Sequence, residues 1–321
     1  VTEPRWRLLA LPPLPPDVLE ALFGEPRLEL VVPPERTQAA VDALLPEVDL
    51  VLGDWSSLRV TDPGPRVVFV QQPSVGVDAV DVDACSARGV PVGNCAGANT
   101  VSVVEWCVSA TLSLLRKTVE GDSSVRRGEW PQTSLGGREL AGLTVGIIGM
   151  GAIGQRAATT YAALGCPVVH WSRTRRDDAS TPWVELEDLL RTADVVIVVI
   201  ALGETTRGLL GPEQLALMKP GALLVNGARG QVVDESALAA ALSSGQLGGA
   251  AVDVFAVEPL PQESPLRDVP GLLLSPHMAG STVEASMRIV GQSKDNLVRV
   301  MDGLPPVDVV NGLAGAPARR S

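Results

Sequence analysis

The chain alternates short, densely apolar runs with longer stretches in which apolar residues recur at helical spacing. The early runs RLLAL, RLELVV, DLVLG and RVVFVQQ have the length of strands. Between them, ERTQAAVDALL (residues 35–45) has the spacing of an amphipathic helix, and DVDACSARG followed by VPV repeats the scheme over residues 81–92. A long helix is expected from about residue 100 to 119, followed by a polar, glycine-bearing segment to Arg138. A second block opens with LTVGIIGM at residues 143–150 and continues through PVVHW, DVVIVVIAL, GALLVNGA, GAAVDVF and LLLSP. Its intervening helices are expected over residues 153–164 and 234–244, with one more over 281–302. GLAGAPARRS reads as a frayed tail. Strands this continuously apolar belong to sheets covered on both faces, and repeated βα units imply that they run parallel. The pattern is that of an α/β protein.

Within the second block, GMGAIG joins a β-rich run to a helix of small and apolar residues. In that setting each glycine has a mechanical task. Gly149 permits a tight turn, Gly151 lets a pyrophosphate approach the backbone, and Gly154 lets helix pack on strand. The N–H groups of Ala152, Ile153 and Gly154 then open the helix towards phosphate. A dinucleotide is the expected ligand. About 20 residues after such a turn, an NAD-binding chain usually presents an acid to the ribose. This chain presents Ser172, Arg173 and Thr174, followed by Arg175 and Arg176. An acid would repel a 2′-phosphate, whereas Arg173 with two flanking hydroxyls offers a charge-assisted seat for one. NADP is therefore favoured over NAD. Asp177 and Asp178 follow directly, which keeps open the alternative of a basic loop facing solvent.

Composition narrows the partners. With 45% hydrophobic and 20% charged residues the chain is globular, and its 321 residues suggest two domains. A formal charge of -11 argues against nucleic acid. The longest apolar run, VVIVVIAL (195–202), is too short to cross a membrane. The N-terminal VTEPRWRLLALPPLPP has too short an apolar run for a signal peptide. Cys85, Cys95, Cys107 and Cys166 form no CxxC pair and, with only two histidines, no metal-ligand spacing. Buried thiols in a reducing cytoplasm are expected, with no metal.

Three downstream segments make the reading specific. VNGARGQVVDESAL (225–238), AAVDVFAVEPLP (250–261) and LLSPHMAG (273–280) resemble, in order and spacing, the signature segments of the D-isomer-specific 2-hydroxyacid dehydrogenases. SVGVDAVDVDACSARGVPVGNCAGANTVSVVEW (74–106) is similar to that family's substrate loop and hinge, and RGEW (127–130) also fits. The resemblance assigns the catalytic Arg to Arg229, the Glu to Glu258 and the His to His277. It implies a substrate carboxylate held by Arg229 and by the loop of Ser74, Val75 and Gly76. It also implies a nicotinamide side formed by Asp253 and Ala228, and a further cofactor contact at Thr206. One departure stands out. Where the family commonly has Pro-Leu-Thr, this chain has Ala201, Leu202 and Gly203, so the adenine-side wall is expected to differ.

The chemistry stands beside the resemblance. Hydride reduction of a 2-oxo acid puts negative charge on the carbonyl oxygen, which must receive a proton. A histidine held protonated by a carboxylate suits that task, and in reverse it is the base. The family implies two doubly wound parallel-sheet domains: a Rossmann nucleotide domain (96–281) inserted into a flavodoxin-like substrate domain (1–95 and 282–321). It further implies an active site in the cleft between them and a homodimer built on residues 100–140. The expected activity is NADPH-dependent reduction of a small 2-oxo acid to its D-2-hydroxy acid, as in glyoxylate or hydroxypyruvate reductases. Alternatives are a dehydrogenase of a phosphonate or phosphite, and a dinucleotide-sensing corepressor-like binding protein. His170 is expected to be structural, or at most near the adenosine. Trp55 and Trp130 are candidates for shaping the substrate pocket.

Overall fold

The computed structural model describes residues 5–176, 179–313 and 315–320. The chain divides into two compact units, Val1–Asn99 with Val283–Ser321, and Thr100–Thr282.

In the first unit, β1 (Trp6–Ala10), α1 (Pro16–Phe23), β2 (Leu28–Val31), α2 (Gln38–Leu44), β3 (Leu50–Leu52), β4 (Phe69–Gln71), α3 (Val82–Ala87) and β5 (Val92–Gly93) alternate along the chain. The five strands pair in parallel in the order β2-β1-β3-β4-β5, the flavodoxin-like order. Every residue of β3 and β4 is buried, as a sheet covered on both faces requires. The helix expected from residue 35 starts later, because Thr37 caps it by accepting the Ala40 N–H.

The second unit opens with α4 (Thr100–Arg116) and α5 (Thr118–Arg126). The single helix expected over 100–119 is thus two, split where Lys117 takes a left-handed φ of 49°. There follow β6 (Val145–Ile148), α6 (Ala152–Ala163), β7 (Val168–Trp171), α7 (Leu186–Thr192), β8 (Val195–Val198), α8 (Pro212–Leu217), β9 (Ala222–Asn226), α9 (Glu235–Ser243), β10 (Leu247–Val252) and β11 (Leu272–Leu274). The six strands run parallel in the order β11-β10-β9-β8-β6-β7, and a one-residue bridge from His170 to Trp183 extends the β7 edge. Connections leave β6 in one direction to β7 and return past it to β8. This is the Rossmann arrangement, and the crevice beyond the carboxyl ends of β6 and β8 is where such sheets bind ligands. One apolar core fills each face of this sheet, around Ile148, Leu224 and Leu238 on one side and Ile147, Val225 and Tyr161 on the other.

The chain then returns to the first unit as α10 (Val283–Met301), whose Leu297 and Val300 pack into the core beside Phe69. Within the tail expected to fray, Arg319 and Arg320 are held in place. Arg319 donates to the fully buried Asp49 carboxylate (2.9 Å) and stacks on Trp6 at 4.9 Å, while Arg320 donates to the Arg88 carbonyl (2.8 Å). The physical reason is Asp49, which sits between β1 and β4 and needs charged donors once it is out of water.

Among the described residues, no helix is long and apolar enough to cross a membrane. The four cysteines are buried and form no disulfide, and burial pushes the thiols of Cys85 and Cys107 up to about 12. At neutral pH they are inert.

Candidate active site

The glycine turn lies at the carboxyl end of β6. Gly149 has φ of 105°, and a Cβ there would stand 2.7 Å from the Ile200 Cα; only glycine fits both the torsion and the approach. A Cβ on Gly154 would stand 1.9 Å from the Gly149 carbonyl oxygen, so a side chain would push α6 off the strand. At Gly151 a Cβ would meet no protein atom within 4 Å. The open approach is thus at the one glycine assigned to the pyrophosphate, with Ala152, Ile153 and Gly154 opening α6 behind it and no side chain capping the helix. These residues fit a dinucleotide.

Past Trp171, Ser172 folds its hydroxyl onto the Thr174 carbonyl (2.8 Å), and its own carbonyl takes the Trp183 indole N–H (3.2 Å). Arg173 and Thr174 are exposed; Arg175 lies 5.9 Å over Trp183, and Arg176 donates to the Met150 carbonyl (3.2 Å). Asp177 and Asp178 lie outside the described residues. A Cβ at Gly203 would come 3.7 Å from the Arg173 guanidinium, so the departure at residues 201–203 borders the basic loop. Thr206 is fully buried. Its hydroxyl donates to the Ala201 carbonyl and accepts the Gly203 N–H, both at 2.8 Å, and so closes that turn. His170 is buried in β7 with Nδ1 3.0 Å from the Thr181 hydroxyl, and burial lowers its pKa.

The three signature residues sit on loops at the carboxyl ends of β9, β10 and β11. After β9, the buried Asn226 side chain accepts the Ala228 N–H (3.0 Å) and donates to the Arg229 carbonyl (3.1 Å). This folds the loop so that Arg229 leaves it in extended backbone, with Nη1 on the Ala228 carbonyl (2.8 Å). After β10, Glu258 Oε1 accepts the Phe255 N–H (2.9 Å), and Oε2 lies 2.7 Å from His277 Nδ1. After β11, His277 has φ of 53°, a left-handed conformation that few non-glycine residues adopt. Asp253 holds it there. The Asp253 carbonyl accepts the His277 N–H (2.7 Å), and its buried carboxylate takes the Ser275 hydroxyl (2.6 Å) and the N–H groups of Met278 (2.8 Å) and Ala279 (2.7 Å).

The electrostatics follow from this geometry. The hydrogen bond to Glu258 raises the His277 pKa, against opposing burial, with the Glu258 charge adding to the rise and Arg229 opposing it. Burial alone would raise the Glu258 carboxyl. The bonds from His277 and the Phe255 N–H, with the charges of His277 and Arg229, hold it below the usual range. Both shifts favour the charged forms, imidazolium and carboxylate, and the Nδ1 contact with Glu258 leaves Nε2 on the opposite edge of the ring.

In the first unit, the loop of Ser74, Val75 and Gly76 has its carbonyls tied down. Ser74 O accepts the Cys95 N–H (2.9 Å), Val75 O accepts Asn94 Nδ2 (2.7 Å), and Gly76 O accepts the Ser74 hydroxyl (2.6 Å). Among the described residues, no protein group accepts the Val75 or Gly76 N–H. Trp55 and Trp130 are exposed. Reading the motifs missed Asn226 and the embrace of residues 275–279 by Asp253; the N-x-x-R spacing was the available signal for the first.

Residues 108–279 match the family described as D-isomer specific 2-hydroxyacid dehydrogenase, NAD binding domain. The chain is 37% identical over 272 residues to a glyoxylate reductase of Aeropyrum pernix, covering 81% of each chain. It is 42% identical over 242 residues to an (S)-sulfolactate dehydrogenase of Chromohalobacter salexigens, covering 74% of this chain and 78% of that one. Among solved structures it resembles an NADPH-dependent glyoxylate/hydroxypyruvate reductase from Sinorhizobium meliloti in complex with NADP and malonate, with a TM-score of 0.85, 28% identity and 99% of both chains covered. It also resembles an NAD-dependent formate dehydrogenase from Staphylococcus aureus in complex with NAD, with a TM-score of 0.81 and 29% identity, covering 93% of this chain and 96% of that one.

Proposed function

Because the chain belongs to the D-isomer-specific 2-hydroxyacid dehydrogenases, we propose that it reduces a small 2-oxo acid of the glyoxylate or hydroxypyruvate kind with NADPH. The observation that carries this reading is the 2.7 Å contact of His277 with Glu258, under the charge of Arg229. The nicotinamide, when bound, supplies hydride to the carbonyl carbon. His277 Nε2 gives its proton to the carbonyl oxygen as negative charge develops there, and takes it back in the oxidative direction. Glu258 keeps the imidazole charged and oriented. The planar fork of Arg229 meets the substrate carboxylate and steadies the developing oxyanion. For the loop of Ser74, Val75 and Gly76, a substrate carboxylate is the proposed ligand of the N–H groups, a role that its tied carbonyls support.

For the cofactor, Gly149, Gly151, Ala152, Ile153 and Gly154 receive the pyrophosphate. Ala228 and Asp253 would line the nicotinamide side, where the Asp253 carboxylate would accept from the carboxamide. Thr206 contributes through the turn that it closes. Ser172, Arg173 and Thr174 take the 2′-phosphate; the lack of an acid at the end of β7 supports NADPH. Val101, Leu112, Val119 and Val125 leave apolar surface exposed on α4 and α5, which supports a homodimer through residues 100–140. Four buried thiols without a disulfide suit the cytoplasm.

The test is oxidation of NADPH and of NADH with a panel of 2-oxo acids, together with sulfolactate in the reverse direction. Turnover is expected with glyoxylate or hydroxypyruvate and a higher kcat/KM for NADPH, with Arg173→Ala losing chiefly the NADPH reaction. Equal use of NADH by the unmodified enzyme would overturn the cofactor assignment. Tight cofactor binding with no turnover of any acid would overturn the activity.

A further inference from the structure

We propose that Glu235 is a positioning residue for the Glu258–His277 pair, acting through the backbone of Ala256. The inference rests on the acid–base role given to that pair. Glu258 stands on an irregular loop between β10 and β11, where no ladder of backbone bonds holds it. Side chains hold that loop instead. The Glu235 carboxylate accepts the Ala256 N–H at 2.6 Å, and Gln231 Nε2 donates to the Ala256 carbonyl at 3.0 Å. Ala256 is thus gripped at both its backbone groups, two residues before Glu258. One residue earlier, the Phe255 N–H is the donor that fixes Glu258 Oε1. Beyond Glu258, Arg267 donates to the carbonyls of Leu260 (2.6 Å) and Pro261 (2.8 Å).

The grip comes from one place. Gln231 and Glu235 lie two and six residues after Arg229, and Gly230, next to Arg229, is pressed against the same turn: a Cβ on it would stand 1.9 Å from the Phe255 carbonyl carbon. The segment that carries Arg229 and the turn that carries Glu258 are therefore docked backbone to backbone. Glu235 closes the contact from the first turn of α9, whose cap is already supplied by its neighbour Asp234. Its carboxylate is thereby spared from capping. A carboxylate oxygen accepting a backbone N–H makes a short bond, and it sets the height of the turn from which Glu258 reaches His277. Release of Ala256 lets Phe255 move, and with it the bond that aims Glu258 at the imidazole.

A purely structural role predicts a loss of stability alone, so the test reads the imidazole. The two histidines are separable by NMR, since His170 is buried in β7. The titration of His277 is followed in the wild type, Glu235→Ala, Glu235→Gln and Ser236→Ala, the last an exposed neighbour on α9. Glu235→Ala is expected to lower the His277 pKa by about half a unit or more. Glu235→Gln keeps an oxygen acceptor and is expected to restore it, and Ser236→Ala to leave it unchanged. In turnover, kcat of Glu235→Ala is expected to fall roughly tenfold with little change in KM, and the alkaline limb of its pH profile to move to lower pH. Gln231→Ala, which frees only the carbonyl, is expected to act in the same direction and more weakly; it decides the matter if Glu235→Ala does not fold. An unaltered His277 titration in Glu235→Ala overturns the proposal, as does a Glu235→Gln variant as impaired as the alanine. If the wild type turns over no 2-oxo acid, the proposed activity fails while the titration still decides the positioning role.

Discussion

His277 combines an unusual backbone with a shifted proton affinity, and both trace to neighbours that can be named. Its left-handed φ of 53° costs on the order of 1 kcal/mol or more, which Asp253 offsets with bonds to residues on both sides of it. Its pKa is raised first by the hydrogen bond to Glu258. A raised histidine keeps its proton to higher pH, and reduction needs that proton, so kcat/KM in the reductive direction falls only as pH rises through the folded-state value. Glu258→Gln removes the cause of the rise, and the fall is expected at lower pH, with kcat reduced roughly a hundredfold. A pH–rate profile checks this. Arg229, Glu258 and His277 were legible in the sequence because each sits in a motif whose chemistry demands that residue type. Glu235 was not. The partner of a backbone N–H is set by which segments come together in space, and nothing in DESAL indicates that its glutamate reaches Ala256.

At the scale of elements, the apolar runs of the second unit declared themselves because a strand buried on both faces has few polar residues to hide it. Helix ends were less legible. Thr37 delays α2, and Lys117 breaks one expected helix into α4 and α5 by adopting a conformation that its side chain does not announce. Strand order was not readable from periodicity at all, since it depends on which crossovers pack; it entered only through the family resemblance. The glycine turn joins the two levels, because close packing of α6 on β6 is what its third glycine permits. Gly154→Ala places a Cβ against the Gly149 carbonyl, and a cost of about 1–3 kcal/mol is expected from thermal unfolding. NADPH affinity is expected to fall with it, as α6 is displaced from the phosphate turn. A variant with unchanged melting and unchanged cofactor titration would show that the strand–helix approach is looser than drawn.

Across the whole molecule, the tail expected to fray instead serves the first unit. Burial would raise the Asp49 carboxyl, but the Arg7 N–H and the guanidiniums of Arg66 and Arg319 hold it below its ordinary value. A carboxylate so depressed contributes stability above its unfolded pKa and loses it as pH falls through the folded value. Arg319→Ala weakens that depression, so stability is expected to fall at neutral pH and acid unfolding to begin at higher pH, the difference from the wild type closing once the carboxylate is protonated; unchanged stability and an unmoved acid transition would leave the tail without this role. GLAGAPARRS reads as a frayed terminus, and no local pattern marks an arginine whose partner lies 270 residues away. The overall acidity, by contrast, was legible and leaves Arg173 conspicuous as a local basic exception. The most direct single test is NADPH oxidation with glyoxylate by the wild type and by His277→Asn, with NADPH binding measured on both. Turnover by the wild type is expected, with a loss of about a thousandfold or more in the variant at unchanged NADPH affinity. A variant that keeps its rate would contradict the role of His277 as the proton donor.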